Sequence, residues 1–105
     1  MQVLEGIRVI DLTRVLAGPY ATMILADLGA EVIKVESLAG DESRRFGPFK
    51  GDVSGYFQSV NRGKKSIAID LKIPAGKSLL MNLLAQSDIL VENYRPGAMK
   101  RLGLD

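Results

Sequence analysis

The residues of this sequence that are best suited to chemistry are polar and basic groups placed just after apolar runs. Asn93, Tyr94 and Arg95 follow the run "DILVE", Arg101 comes six residues later, and Lys72 follows "SIAIDL" in the same way. Basic side chains and the N–H groups of a helix N-terminus suit phosphate groups, and a tyrosine ring offers a flat face to another ring. The pattern therefore indicates a site for a phosphorylated ligand, although surface basic residues are more often simply solvated.

Other kinds of chemistry find little support. The chain has no cysteine and no histidine, which excludes thiolate chemistry, histidine-based acid–base catalysis and the usual zinc ligand sets within these residues. We interpret Asp11, Asp27, Asp41 and Glu42 as solvated or capping acids, because their spacing suits neither a metal nor a catalytic pair. No metal site and no catalytic group are expected here.

Two nucleotide-binding motifs are incomplete. The "GKS" at residues 76–78 resembles the end of a P-loop, but Leu71 stands where that loop needs glycine, so an ordinary helix start is expected. A dinucleotide site needs three glycines after the first strand, and only Gly18 is present. Glu36 stands where a ribose-binding acid would be, yet an NAD-binding site is the weaker alternative without those glycines.

Composition indicates one ordinary globular domain over residues 1–105. Hydrophobic residues make up 47% and charged residues 25% of the chain, and the net charge of +2 is too small to indicate nucleic acid as partner. No apolar run is long enough for a membrane span and no signal peptide is evident, so we expect no membrane partner. The expected location is the cytoplasm, or an organelle matrix if a targeting segment was removed.

Hydrophobic periodicity predicts alternating strands and helices. We predict strands at residues 7–12, 30–36, 66–71 and 88–94, helices at 19–28 and from Pro74, a short helix from Pro96, and a polar loop at 37–65. Ile73 is a poor cap for the second helix. The expected fold is α/β, a Rossmann-like parallel sheet with flanking helices.

In such sheets, ligands lie beyond the carboxyl ends of the strands. The polar turns at residues 13–18, 37–44, 72–76 and 93–97 should all meet there.

Four blocks of the sequence resemble the class III (CaiB/BaiF-type) coenzyme A-transferases. They are "LEGIRVIDLTRVLAGPYATMILADLGAEVIKVE", the "GD-x-x-R" at residues 40–44, "NRGKKSIAIDLK" at 61–72 and "VENYRPGAMKRLG" at 91–103. They occur in the family's order and spacing, and they cover essentially the whole chain.

The resemblance implies an acyl-CoA:carboxylate CoA-transferase. Such enzymes move coenzyme A between small carboxylic acids through an aspartyl anhydride, and they form interlocked homodimers with a large Rossmann-like domain. It also implies acyl-CoA as substrate, with no tightly bound cofactor. The implied coenzyme A contacts are Val15 and Ala17 at the thioester end, Leu71 and Lys72 beside the nucleotide, Asn93, Tyr94 and Arg95 in the fourth-strand turn, and Arg101 at the phosphates.

The sequence also departs from the family pattern. Ser37 and Leu38 replace an Arg-Pro that many relatives have, so one phosphate-binding arginine is missing, and Arg44 or Arg45 are candidates to replace it. Family members are several hundred residues long, and their catalytic aspartate falls beyond residue 105. We therefore expect the N-terminal part of the large domain, inactive by itself. The alternatives are a member of the α-methylacyl-CoA racemase branch and a stand-alone coenzyme A- or nucleotide-binding module.

Overall fold

The fold, in a computed structural model that describes residues 2–104, is a mixed α/β layer structure. In chain order its elements are β1 (Arg8–Asp11), α1 (Ala17–Asp27), β2 (Glu31–Glu36), a 3₁₀ helix (Glu42–Arg45), β3 (Phe49–Lys50), β4 (Val53–Ser54), α2 (Gly55–Asn61), β5 (Lys65–Ala68), α3 (Pro74–Ala85), β6 (Ile89–Val91) and α4 (Ala98–Arg101). Within these residues, no helix has the length and apolarity needed to cross a membrane.

Four of the strands form one parallel sheet in the order β5-β2-β1-β6. Val9 of β1 lies opposite Val32 of β2 and Ile89 of β6. Counting only these four strands, the order is 3-2-1-4, which matches the first four positions of the doubly wound order 3-2-1-4-5-6. The predicted fold class is therefore confirmed.

Apolar side chains on the central strands face two separate cores because helices cover both faces of the sheet. Ile10, Val35 and Leu80 belong to one core, whose partly buried members include residues of α3. Val9 and Val32 belong to the other, beside α1. A parallel strand covered on both faces reads as a continuous apolar run, which explains why β1 and β2 were predictable.

The second long helix begins where the sequence predicts. Pro74 occupies its first turn, where the missing N–H costs nothing, and Ile73 before it makes no side-chain capping bond. The first helix begins at Ala17, two residues earlier than predicted.

The prediction of a polar loop over residues 37–65 is wrong. That stretch contains the 3₁₀ helix, the β3–β4 hairpin and α2. Ser54 caps α2, because its hydroxyl oxygen accepts a hydrogen bond from the N–H of Phe57 at 3.1 Å. Phe57 and Val60 are buried. These few apolar anchors are separated by glycine and polar residues, so no clear period reveals the helix.

The carboxyl ends of the last two sheet strands also lie earlier than predicted. β5 ends at Ala68 and β6 at Val91, so Lys72 and residues 93–95 lie in turns and not in strands. The final helix begins at Ala98 and not at Pro96, and it has only four residues, because Gly97 before it is left-handed with φ +86°. The predicted helix start at Pro96 is therefore wrong, and a single turn adds little fixed dipole for an anion.

Candidate functional site

A cavity of about 480 Å³ opens at the carboxyl ends of the parallel strands. Thr13 and Arg14 line it after β1, Glu36 lies at the end of β2, Lys72 follows β5, and Tyr94 follows β6. The turns after all four sheet strands therefore meet at one place, as the strand order requires. A cavity of this size is typical of small-molecule sites.

The structure brings half of the predicted coenzyme A contacts to this cavity. Leu71, Lys72, Tyr94 and Arg101 line it. Val15, Asn93 and Arg95 lie in the connections that follow β1 and β6, Ala17 is the first residue of α1, and none of the four is among the lining residues. Binding at all eight positions stays a prediction.

Two exposed cations stand at the β5–β6 side of the cavity, by which we mean the lining residues 69–72 and 94–102. Neither Lys72 nor Arg101 makes a salt bridge to an acid within residues 2–104. The lining on this side also includes the apolar residues Ile69 and Leu71, which form what we call the apolar floor, and the acid Asp70. An apolar floor with uncommitted positive charge above it suits a ligand that carries both a ring system and phosphate groups.

Tyr94 packs between this floor and the turn after β1. It is partly buried against the core, and the guanidinium carbon of Arg14 lies 5.4 Å from the centre of its ring. Burial raises the pKa of Tyr94, and the charge of Arg14 offsets only part of that effect. The hydroxyl therefore stays protonated, and the ring serves as an apolar surface with a hydrogen-bond donor at its tip.

Glu36 is fully engaged by other residues of the chain. Arg44 donates to both of its carboxylate oxygens at 2.7 Å, and the N–H of Asp41 donates to one of them at 2.7 Å. Burial would raise the pKa of Glu36, but these bonds and one from Ser66 outweigh it and lower the pKa to about 2. The carboxylate is not available to a ribose, which removes the acid that an NAD site would need.

Arg44 is engaged by the same contact. Its guanidinium carbon also lies 3.9 Å from the ring centre of Phe57. Of the two candidates to replace the missing phosphate-binding arginine, Arg44 is thus committed to Glu36 and Phe57, although its side chain is 45% exposed. Arg45 is exposed and donates to the carbonyl of Ala39 at 3.2 Å.

The turn after β1 is held by side chains from other elements. Asn93 accepts from the N–H of Arg14 and donates to its carbonyl, each at 3.0 Å. Lys34 donates to the carbonyl of Thr13 at 2.9 Å, and the carboxylate of Asp41 accepts from the N–H of Val15 at 3.3 Å. Both groups of the Asn93 amide are used in this way, so Asn93 acts on the protein backbone.

Two of the acids interpreted as solvated or capping are instead buried and paired. Asp11 is fully buried, with the ammonium of Lys64 at 2.8 Å and the hydroxyl of Thr22 at 2.6 Å. Asp41 does cap the 3₁₀ helix, but it is also buried against Lys34 at 2.9 Å. The interpretation was wrong for Asp11, whose buried partner Lys64 lies 53 residues away in sequence, and it was incomplete for Asp41, which caps as expected but also has a buried lysine partner.

The other two acids behave as expected. Asp27 and Glu42 are exposed, and they pair on the surface with Arg62 at 2.9 Å and Arg14 at 3.8 Å. Within the part of the chain that the structure describes, no group of three or more acids, histidines or cysteines could hold a metal ion.

The "GKS" segment has a structural explanation. Gly76 is buried in the first turn of α3, and a β-carbon there would stand 1.8 Å from the carbonyl oxygen of Asp70. Glycine is required at this position because the helix packs directly on the turn after β5. That turn carries Leu71 and Lys72 into the cavity.

Sequence reasoning missed Arg14, Lys34 and Lys64 as parts of this site. A signal was available for Lys34, because a lysine inside a strand with both faces covered must find a buried partner. The same argument applies to Asp11 in β1. No local signal identifies Lys64, whose role depends on the long-range approach of α2 to the first turn.

Comparisons with known proteins show which family the chain resembles. A succinyl-CoA:glutarate CoA-transferase of Mus musculus is 58% identical over 106 residues, covering 99% of this chain and 24% of that protein. An acetyl-CoA:oxalate CoA-transferase of Acetobacter aceti is 49% identical over 102 residues, covering 96% of this chain and 26% of that protein. This chain thus spans about a quarter of the length of these relatives.

A solved structure shows the same fold at high similarity. The crystal structure of a CaiB/BaiF family protein from Brucella suis matches with a TM-score of 0.92 and 42% identity, over 99% of this chain and 29% of that one. The profile of CoA-transferase family III matches residues 4–105. The chain therefore belongs to CoA-transferase family III.

Proposed function

We propose that this chain is the coenzyme A-binding, N-terminal portion of an acyl-CoA:carboxylate CoA-transferase. The observation that carries the proposal is the cavity at the carboxyl ends of the sheet, with its apolar floor and the exposed cations Lys72 and Arg101. Coenzyme A combines an adenine ring, several phosphates and a long arm ending in a thiol. The named activities of the relatives, which are transfers from acyl-CoA thioesters, support the same ligand class.

The roles of individual residues follow from where they stand. Lys72 and Arg101 would pair with the phosphates, since basic side chains form strong charge-assisted bonds to phosphate oxygens. Leu71 and Tyr94 would contact the adenine ring. Arg95 is exposed beside them as a further cation.

On the other side of the cavity, the turn after β1 would contact the thioester end of acyl-CoA. Val15 and Ala17 would flank it, while Asn93 contributes by holding the backbone of Arg14. No residue in this account is a nucleophile. The chain's own part in the reaction is to bind and orient coenzyme A.

The chemistry proposed for the complete enzyme is covalent carboxylate catalysis. An aspartate beyond residue 105 attacks the thioester carbonyl, the coenzyme A thiolate leaves, and an acyl-aspartyl anhydride forms. The thiolate then attacks the aspartyl carbonyl of the anhydride, which releases the donor carboxylate and leaves an aspartyl-CoA thioester. The acceptor carboxylate attacks that thioester to form a second anhydride and free thiolate, and attack of the thiolate on the acceptor's acyl carbonyl gives the new acyl-CoA and regenerates the aspartate. The proposal includes an interlocked homodimer, a cytoplasmic or organelle-matrix location, and small carboxylic acids as the exchanged substrates.

A calorimetric titration of the chain with coenzyme A, and separately with NAD, tests the proposal. We expect saturable binding of coenzyme A and none of NAD, because Glu36 is engaged by Arg44. We also expect no CoA transfer from succinyl-CoA to glutarate by these 105 residues alone. Saturable NAD binding without coenzyme A binding would contradict the proposed function.

A further inference from the structure

The turn after β1 adopts a backbone conformation that its own sequence disfavours. Val15 has φ +73°, in the left-handed region, although it is a β-branched residue. Such a conformation is unfavourable for a residue with a branched β-carbon and persists only where the surrounding structure enforces it. Something outside the turn must therefore hold it.

The strongest constraint on the turn is a buried ion pair. The ammonium of Lys34 lies 2.9 Å from the carboxylate of Asp41, and the two side chains are 1% and 0% exposed. Lys34 donates to the carbonyl of Thr13 at 2.9 Å, and Asp41 accepts from the N–H of Val15 at 3.3 Å. The pair thus bonds to the backbone on both sides of Arg14.

The pair is itself held in place from the segment that follows β2. Ser43 donates to the carboxylate of Asp41 through its N–H and its hydroxyl, each at 2.9 Å. The N–H of Asp41 donates to Glu36, which Arg44 also holds. Because a buried pair stabilises a structure only when its remaining hydrogen-bonding capacity is met, these contacts make it rigid.

We propose that Lys34 and Asp41 are positioning residues of the cavity. They hold residues 13–15 in the strained turn, and in this way they set where Arg14 stands against Tyr94 and the cavity. Lys34 does not line the cavity, and the carboxylate of Asp41, which does, is already bonded to Lys34 and Ser43, so both act through the turn. This inference rests on the proposed function only in its second readout, which measures the affinity for coenzyme A.

The test combines Lys34→Met with Asp41→Asn, so that no charge is left buried without a partner. The matched control is Arg62→Met with Asp27→Asn, which removes a surface pair remote from the cavity. The first readout is the hydrogen-exchange rate of the Arg14 amide, measured by NMR against the amides of Val9 and Ile10. Arg14 is the right reporter because its N–H bonds to Asn93, which the variant does not change.

We expect the Arg14 amide to exchange about tenfold faster in the double variant, with the sheet amides unchanged, because the turn opens locally. Unchanged exchange in a folded double variant would overturn the proposal. If the double variant does not fold, Ser43→Ala replaces it. That change removes one bond that orients Asp41 without leaving a charge unpaired, and it should accelerate Arg14 exchange a few-fold.

The second readout is the affinity for coenzyme A in a cycle with Val15→Gly. Glycine adopts positive φ without strain, so the turn then depends less on the pair. In the protein that keeps Val15, we expect Lys34→Met with Asp41→Asn to weaken coenzyme A binding about tenfold. In the Val15→Gly background, the same double substitution should weaken binding clearly less. A merely structural role of the pair would not produce this coupling. Equal losses in both backgrounds would overturn the positioning role.

Absence of coenzyme A binding by the unsubstituted chain would count against the proposed function, and the exchange result would then decide the role of the pair.

Discussion

The two sides of the cavity use charge in opposite ways. On the β1–β2 side, by which we mean residues 13–16 and 36–45 with the buried charges of β1, β2 and Lys64, those charges are paired with one another: Asp11 with Lys64, and Asp41 with Lys34. On the β5–β6 side, Lys72 and Arg101 are exposed, and neither pairs with an acid among the described residues.

This difference indicates that the first side fixes the geometry of the cavity and that the second side binds the ligand. Charges that satisfy each other inside the protein cannot also bind a ligand, but they can hold a strained turn in one position. Exposed charges contribute little to stability, since solvent screens them, but they remain available to phosphate groups. Substitutions on the first side should therefore change stability and turn geometry, and those on the second side should change affinity.

The largest expected effect is on stability, from Lys64→Met. Lys64 is almost fully buried, and its removal leaves the carboxylate of Asp11 buried without a cation. We expect the free energy of unfolding to fall by roughly 3–5 kcal/mol, measured by urea denaturation. The control is Arg62→Met, which breaks the surface pair with Asp27 and should cost less than about 1 kcal/mol. Equal losses in the two variants would contradict the distinction between buried and exposed pairs.

The next effect is a dependence of stability on pH that comes from Glu36. Its pKa in the folded chain is about 2, below the ordinary value of 4.5. The stabilisation is therefore fully present above pH 4.5 and is lost as the pH falls through 2. We expect a loss of about 2 kcal/mol, less than the shift alone implies, because Arg44 is half exposed and solvent screens it.

Urea denaturation at pH 6, 4.5 and 3 measures this loss. Glu36→Gln should remove most of the fall in unfolding free energy below pH 4.5. A smaller fall should remain, since burial would raise the pKa of Asp41 but bonds from Ser43 and Lys34 lower it overall. If the unfolding free energy of Glu36→Gln fell with pH as steeply as that of the unsubstituted chain, Glu36 would not be the source of the pH dependence.

A smaller effect is expected at Asn93, which joins the two sides of the cavity. Because its amide bonds only the backbone of Arg14, Asn93→Ala should weaken coenzyme A binding by about three- to tenfold, through loss of the Arg14 position. The same substitution should have little further effect on an Arg14→Ala background. Asn82→Ala, an exposed change on α3, is the control. Full additivity of Asn93→Ala and Arg14→Ala would instead indicate that Asn93 contacts the ligand directly.

The sheet could be predicted from the sequence because its central strands are apolar on both faces. The adjacent apolar pairs Val9-Ile10 in "RVID" and Val32-Ile33 in "EVIKVE" indicate this, and Pro74 marks the start of α3. The stretch after β2 could not be predicted, because Phe57 and Val60 are too few to show a helical period. The placement of the cavity followed from strand order alone.

The internal pairing of the site could not be predicted in the same way. Asp11 pairs with Lys64, which lies 53 residues away in sequence. The two residues meet only because α2, which precedes Lys64, packs against α1 in the folded chain. The left-handed conformation of Val15 has no sequence signal either, because valine is among the residues least suited to it. Sequence reasoning thus located the site and named candidates for binding, while the residues that hold the first turn emerged only from the structure.

The central claim, that the β5–β6 side keeps its charges for the phosphates of coenzyme A, is tested most directly with two neighbouring residues. Arg101 lines the cavity, whereas Lys100 is an exposed basic residue of the same helix that does not. Calorimetric titration with coenzyme A should show binding about 10- to 100-fold weaker for Arg101→Ala and nearly unchanged for Lys100→Ala, with both variants as stable as the unsubstituted chain. Equal weakening by the two substitutions, or none by either, would contradict the account.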